Sequence, residues 1–174
     1  RDAQESRGLG DVYKRQELIF TEWTAGTWSW PGVGINAVNT DAKALIFDVV
    51  KNWGRGAMVW NLMLDSDRGP YRPGGCSTGN GAIDISKSDY STLTYNSFYY
   101  VMCIAAAAVS DGAHYITAEG GADGIEFAAF RNNDGGYGLV VMNTSGSERR
   151  LRVSDRTNRF VVTIPAHSLA SYRW

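Results

Sequence analysis

Two short apolar runs separated by one amphipathic segment constrain this chain more than anything else in it. The first is Leu18-Ile19-Phe20-Thr21-Glu22-Trp23 and the second is Gly56-Ala57-Met58-Val59-Trp60-Asn61-Leu62. Apolar runs of this length, bounded by turn signals, read as buried strands. Between them Ala42, Leu45, Ile46, Val49, Val50 and Trp53 recur at spacings of three and four, which predicts a helix with one apolar face. Thr40 is the expected N-cap, with Asp41 in the first turn, and Asn52 and Gly54 bracket the end. Strand, helix and strand in this order give a parallel pair joined by a right-handed crossover. Parallel strands end on the same side, so Glu22 and Trp60 are expected at one mouth. A carboxylate at the C-terminal end of such a strand, beside aromatics, is where barrel enzymes hold a catalytic group. The plainer alternative is a strand-end Glu that faces water or pairs with an Arg.

The rest of the chain falls into three textures. Residues 1–16 are polar, lack a hydrophobic period and carry no Met, so they are set aside as a non-native leader or scar. Residues 17–110 carry the βαβ pattern. Within them, the loop after the first strand holds Trp28 and Trp30 on a Gly-rich stretch, suited to stacking on a sugar or to capping the strand end. Residues 63–82 form a second, long loop, and loops of such length in compact domains are usually functional or disordered. Asp65, Asp67, Arg68 and Tyr71 on it are candidate contacts for a polar ligand, or simply solvated. Ile83-Asp84-Ile85 reads as a short strand. Tyr95 to Val109 predicts an apolar helix packed on most sides, stopped by Asp111-Gly112, with Cys103 a small buried hydrophobe.

From residue 111 to 174 short apolar segments follow one another closely, with Asn132-Asn133-Asp134-Gly135-Gly136 as a hairpin signal. This is the pattern of an antiparallel β-sandwich. His114 and His167 lack partner patterns and read as structural. Asn143-Thr144-Ser145 matches a glycosylation sequon, a short match that is common by chance.

Composition narrows the function. A net charge of -1 gives no basic field for nucleic acid or an anionic membrane. No apolar run is long enough to span a bilayer, and no secretory signal pattern is present. Cys76 and Cys103 set no disulfide framework, and no metal-ligand spacing or cofactor motif appears.

The text FTEW, then NWGRGAMVWNLMLDSDRGP, then GGCSTGNGAIDI, a Tyr-rich helix and AAFRNNDGGYGLVVMN resembles the C-terminal part of glycoside hydrolase family 30. These are the glucosylceramidase-like and β-1,6-glucanase-like retaining β-glycosidases, and the likeness covers roughly residues 17–174. The resemblance implies the last strands and helices of a (β/α)8 TIM barrel followed by an antiparallel β-sandwich domain. It implies Glu22 as catalytic nucleophile on the seventh strand and Trp60 lining a sugar subsite from the eighth. Trp23, Trp28 and Trp30 are further substrate-binding candidates, and the implied substrate is a β-linked glucoside or glucan.

Two departures matter. The family's acid/base sits in an Asn-Glu-Pro motif on the fourth strand, and no Asn-Glu pair occurs here. Some members carry a Cys-x-x-Cys in the long loop, where Cys76 is here followed by Gly79. The resulting expectation is a fragment of a retaining glycosidase that supplies the nucleophile half of the site and is inactive alone. No cofactor, nucleic acid or membrane insertion is expected. Secretion or a periplasmic location follows only if a parent carries an upstream signal. The rival reading is a non-catalytic carbohydrate-binding β-sandwich module.

Overall fold

A computed structural model describes residues 17–26 and 35–174. Residues 1–16, with the expected leader, and Trp28 and Trp30 lie outside the described residues. Strand β1 (Leu18–Thr24) pairs in parallel with β2 (Gly54–Trp60). Between them run α1 (Ile35–Ala42), a π-helical turn (Lys43–Phe47) and α2 (Asp48–Lys51). The helical stretch starts at Ile35, so Thr40 lies inside it and is not the N-cap expected from the sequence. The π turn buries three consecutive side chains, Leu45, Ile46 and Phe47. Trp53 (φ 66°) and Gly54 then reverse the chain tightly. A Cβ on Gly54 would stand 2.6 Å from Val49 Cγ1 and 2.8 Å from the Val49 carbonyl oxygen, so only glycine lets β2 start this close to α2.

The long loop is shorter than its sequence suggests. Its first residues form β3 (Met63–Asp65), parallel to β4 (Ile83–Ile85), which pairs antiparallel with β5 (Leu93–Tyr95). The register Met63↔Ile83 brings the two ends of the loop side by side. Helix α3 (Ser97–Ala108) follows. It buries Phe98, Val101 and Ala108 but leaves Tyr100, Met102 and Cys103 exposed. The expectation of a helix packed on most sides, with Cys103 inside, is therefore corrected. The helix is covered by α1 and the β8–β11 side of the sandwich, and its opposite side faces solvent.

The sandwich comprises a four-stranded sheet, β11 (Ser168–Arg173), β8 (Tyr137–Asn143), β7 (Ile125–Arg131) and β6 (His114–Ile116) in that order, and the hairpin β9 (Arg149–Ser154) with β10 (Arg159–Ile164). All of its pairings are antiparallel. β8 is buried on both faces. Val140 and Met142, with Ala128 and Phe130 of β7, join the helices' Leu45, Phe47, Phe98 and Val101 in one core. Val141 on the opposite face meets Val162 and Ile164 in a second. The described residues thus combine a parallel βαβ portion with an antiparallel sandwich, and they contain no closed barrel.

Buried asparagines hold the joints. Asn132 accepts from the Ser110 amide (2.9 Å) and hydroxyl (3.0 Å), and its amide donates to the Ala108 carbonyl (3.0 Å). This docks the end of α3 onto the β7–β8 hairpin, where a Cβ on Gly138 would fall on that same Ala108 oxygen. Asn143, the sequon residue, is fully buried. Its amide donates to the carbonyls of Ser147 (2.8 Å), Ile164 (3.2 Å) and Pro165 (2.9 Å), so in the folded domain it is a structural knot. Asn132→Ala is expected to destabilise by about 1–3 kcal/mol, because it strands a buried carbonyl and amide. Gly138→Ala should cost roughly 1–3 kcal/mol through overpacking. Denaturant midpoints of the two variants against the unaltered protein check both figures.

Candidate functional site

The register of β1 against β2 decides what meets at their C-terminal ends. Thr24 pairs with Trp60 and Trp23 with Val59, so Glu22 and Trp60 reach the same end. Side chains alternate along a strand, and Glu22 and Thr24 share one side. The Thr24 hydroxyl donates to Glu22 Oε1 at 3.0 Å. Trp23 points elsewhere. Its indole N–H donates to Asp41 Oδ1 at 2.7 Å, and its ring packs against the core. Asp41 is buried and also accepts from the Ser97 hydroxyl. Burial pushes the Asp41 carboxyl up from its usual range, and the hydrogen bonds from Ser97 and Trp23 oppose that shift.

Glu22, Thr24 and Trp60 line a cavity of about 560 Å³ whose far wall is the loop after β3, including Arg68, Tyr71 and Arg72. Trp60 is 58% exposed, and the peptide bond that follows it is cis. A turn built around Asp65 sets the wall. Its Oδ1 accepts from the amides of Asp67 (2.9 Å) and Gly69 (2.7 Å), while its own amide donates to the Gly69 carbonyl at 2.8 Å. Arg68, at φ 68°, donates from its guanidinium to the Asn80 side chain and to the Gly79 carbonyl. The Asn80 amide in turn donates to the Ala25 carbonyl at 2.7 Å, directly past β1. The wall is therefore hooked onto the strand that carries Glu22.

Residues 112–172 match the model of the glycosyl hydrolase family 30 beta sandwich domain. By that match the segment resembles a family 30 sandwich. The likeness runs further than that segment. The chain is 26% identical over 168 residues to endo-1,6-beta-D-glucanase BGN16.3 of Trichoderma harzianum, covering 92% of this chain and 32% of that protein. Among solved structures, the endo-beta1,6-glucanase BT3312 superposes with a TM-score of 0.87 at 38% identity, over 98% of this chain and 38% of that one. SrfJ from Salmonella typhimurium gives 0.82 at 26% identity, over the same shares. The chain spans about a third of the length of these relatives.

Of the residues singled out from the sequence, Glu22, Trp60, Arg68 and Tyr71 come together in the cavity. Trp23 serves the core instead. Asp65 is turned into its own loop, and Asp67 pairs with Lys87 at 2.8 Å. Thr24, Asn61, Arg72 and Cys76 also line the cavity and were not singled out. Only Thr24 had a signal, its position two residues from Glu22 on a strand. Cys76 is a free, exposed thiol whose pKa is lowered by hydrogen bonds from the Thr78 backbone and hydroxyl. Among the described residues no group of His, Cys, Asp and Glu could hold a metal ion.

Two outcomes test this geometry. Asp65→Ala should speed amide exchange at Asp67 and Gly69, whereas Asp65→Asn keeps the Oδ1 acceptor and should leave exchange near normal. Asp41 gives a pH signature. Its folded-state pKa is raised, so its contribution to stability is fully present below about pH 3.8 and is lost as pH rises through the higher folded value. Asp41→Asn should remove that component, seen by comparing denaturation midpoints of the two proteins across acidic to neutral pH.

Proposed function

We propose that this chain belongs to glycoside hydrolase family 30 and supplies the nucleophile-bearing part of a retaining β-glycosidase that acts on a β-linked glucan. Residues 17–110 are then the last strands and helices of a TIM barrel, with β1 and β2 as its seventh and eighth strands, and residues 111–174 are the attached sandwich. The observation that carries this reading is the meeting of Glu22 and Trp60 in one cavity at the C-terminal ends of parallel strands. The barrel assignment draws support from the exposed Leu18, Ile19, Phe20 and Met58 on β1 and β2. Strands of a parallel sheet are normally covered on both faces.

The chemistry follows from two carboxyl groups about 5–5.5 Å apart across the scissile bond. Glu22 attacks the anomeric carbon and forms a glycosyl ester, and the second group protonates the leaving oxygen and then activates water. Thr24 fixes the orientation of the attacking carboxylate. Trp60 offers an aromatic face to a sugar ring, while Arg68, Tyr71 and Arg72 supply polar contacts. Trp28 and Trp30, outside the described residues, remain candidates for the same subsite. The second carboxyl is assigned outside this chain, since Asp65 is engaged in its turn and Asp67 in an ion pair. Both glucanase relatives named above act on 1,6-linked β-glucan by their names, which makes that polymer the first substrate to test and a simple β-glucoside the second. This mechanism calls on no cofactor.

The rival reading, a carbohydrate-binding sandwich, needs an exposed aromatic platform. Most aromatics of this sandwich pack on one another or on the second core, although Tyr115 is exposed. Tyr137 stacks on Trp174 with centroids 5.6 Å apart, Phe160 meets the edge of Trp174 at 5.0 Å, and Tyr115 packs on Phe130 at 6.0 Å.

In the full-length enzyme Glu22→Gln should keep the fold and lower turnover of β-1,6-glucan by roughly 10³-fold or more. An activated fluoro-sugar should label the peptide holding Leu18–Trp23. The 174-residue chain by itself should show neither turnover nor labelling. Near-normal activity of Glu22→Gln would sink the assignment.

A further inference from the structure

The hairpin β9–β10 has two faces of opposite character. Leu151, Val153, Phe160, Val162 and Ile164 point inward to the second core. The alternate positions Arg150, Arg152, Arg159, Val161 and Thr163 point outward and are exposed. The antiparallel register sets Arg152 opposite Val161, Arg150 opposite Thr163 and Arg159 opposite Ser154, so three Arg side chains stand on one face of the hairpin. Arg156 joins them from the connecting turn. Neighbours two residues apart on a strand lie about 6.5–7 Å apart. Like charges at that distance repel one another, and among the described residues no ion pair relieves them.

Ion pairing elsewhere sharpens the contrast. Arg173 pairs with Asp134 at 2.6 Å, and Arg131 lies over the Tyr137 ring. Among the described residues Arg150, Arg152, Arg156 and Arg159 take part in no ion pair. The one acid between the strands, Asp155, is fully engaged. Its two oxygens accept from the Thr157 and Asn158 amides, the Thr157 hydroxyl, the Asn158 side chain and the Trp174 indole. Glu148, the remaining acid nearby, precedes β9. Every cation of the hairpin is Arg, none is Lys. The guanidinium fork binds carboxylates, and phosphates, bidentately in a way an ammonium does not.

We propose that the outward face of β9–β10 is a docking surface for an acidic polysaccharide, a polymer that carries carboxylates on its sugar units. The face's lack of aromatics disfavours single-stranded nucleic acid, which needs stacking platforms. Val161 is its only large apolar side chain, too little to enter a lipid surface. The surface lies on the sandwich, apart from the cavity of Glu22, and its occupancy does not depend on catalysis there.

The test is binding of the intact protein to polygalacturonate at low salt, beside neutral dextran, anionic phosphatidylserine vesicles and duplex DNA. Polygalacturonate should bind, and should be released as salt is raised. The triple variant Arg150→Gln, Arg152→Gln, Arg159→Gln should lose about tenfold or more in affinity. The triple Lys variant should fall between the two. No binding of polygalacturonate, an unchanged affinity in the Gln variant, or equal binding of dextran would overturn the proposal. Tighter binding of vesicles or DNA would overturn the choice of a polysaccharide as occupant. Hydrolysis of β-1,6-glucan, measured on the same samples, reports separately on the Glu22 reading.

Discussion

The buried Asp41 carboxylate holds together the part of the molecule that carries Glu22. It accepts from Trp23 on β1 and from Ser97 at the start of α3, and it sits at the end of α1. Three elements distant in sequence thus converge on two oxygen atoms. A buried carboxyl without partners is strongly unfavourable, so this packing is tolerated only because both donors are in place. Trp23 and Glu22 are neighbours on one strand and face opposite ways. Fixing the indole on the core side therefore fixes the carboxylate on the cavity side, one residue away.

A second chain of contacts sets the opposite wall. Asp65 folds its turn, Arg68 reaches Asn80, and the Asn80 amide bonds the residue that follows β1. The parallel pairing of β3 with β4 closes the base of this loop. The cavity is thus bounded by a strand pair and by a loop tied to the same strand, and neither wall shifts independently of Glu22. That is the kind of support a reacting group needs for its orientation to matter.

Hydrophobic periodicity made the strands and the sandwich legible. Apolar runs at 18–23 and 56–62 gave strands close to their observed bounds, and the Asn-Asp-Gly cluster marked its hairpin. The joints were hidden because they are made by buried polar residues. Asp41 interrupts the apolar stripe of its helix, so the start was placed at Thr40 when the helix begins at Ile35. Asn132 was read only as part of a turn and Asn143 as a sequon, yet both are buried hydrogen-bond hubs. Cys103 was placed inside because its helix is apolar throughout, and a uniformly apolar helix carries no signal of which side is covered. At the site, strand alternation told Glu22 from Trp23 in principle, but only the parallel register shows which one faces the cavity.

The open faces of β1 and β2 connect fold to function. A two-stranded parallel pair has two unpaired edges and two faces, and here Leu18, Ile19, Phe20 and Met58 are exposed. On the sandwich side β8 is covered on both faces, and its two cores close against helices and hairpin. Apolar surface left on a strand pair is unfavourable in water by roughly 25 cal/mol for each Å² that a neighbour would cover. The strands that carry Glu22 and Trp60 share in this exposure, whereas the inner faces of the sandwich are covered. The cavity is walled by the β1–β2 ends and the loop after β3, and apolar strand faces lie beside it. In the proposed barrel reading, completing the active site and covering this sheet are one requirement, met by one set of neighbouring strands.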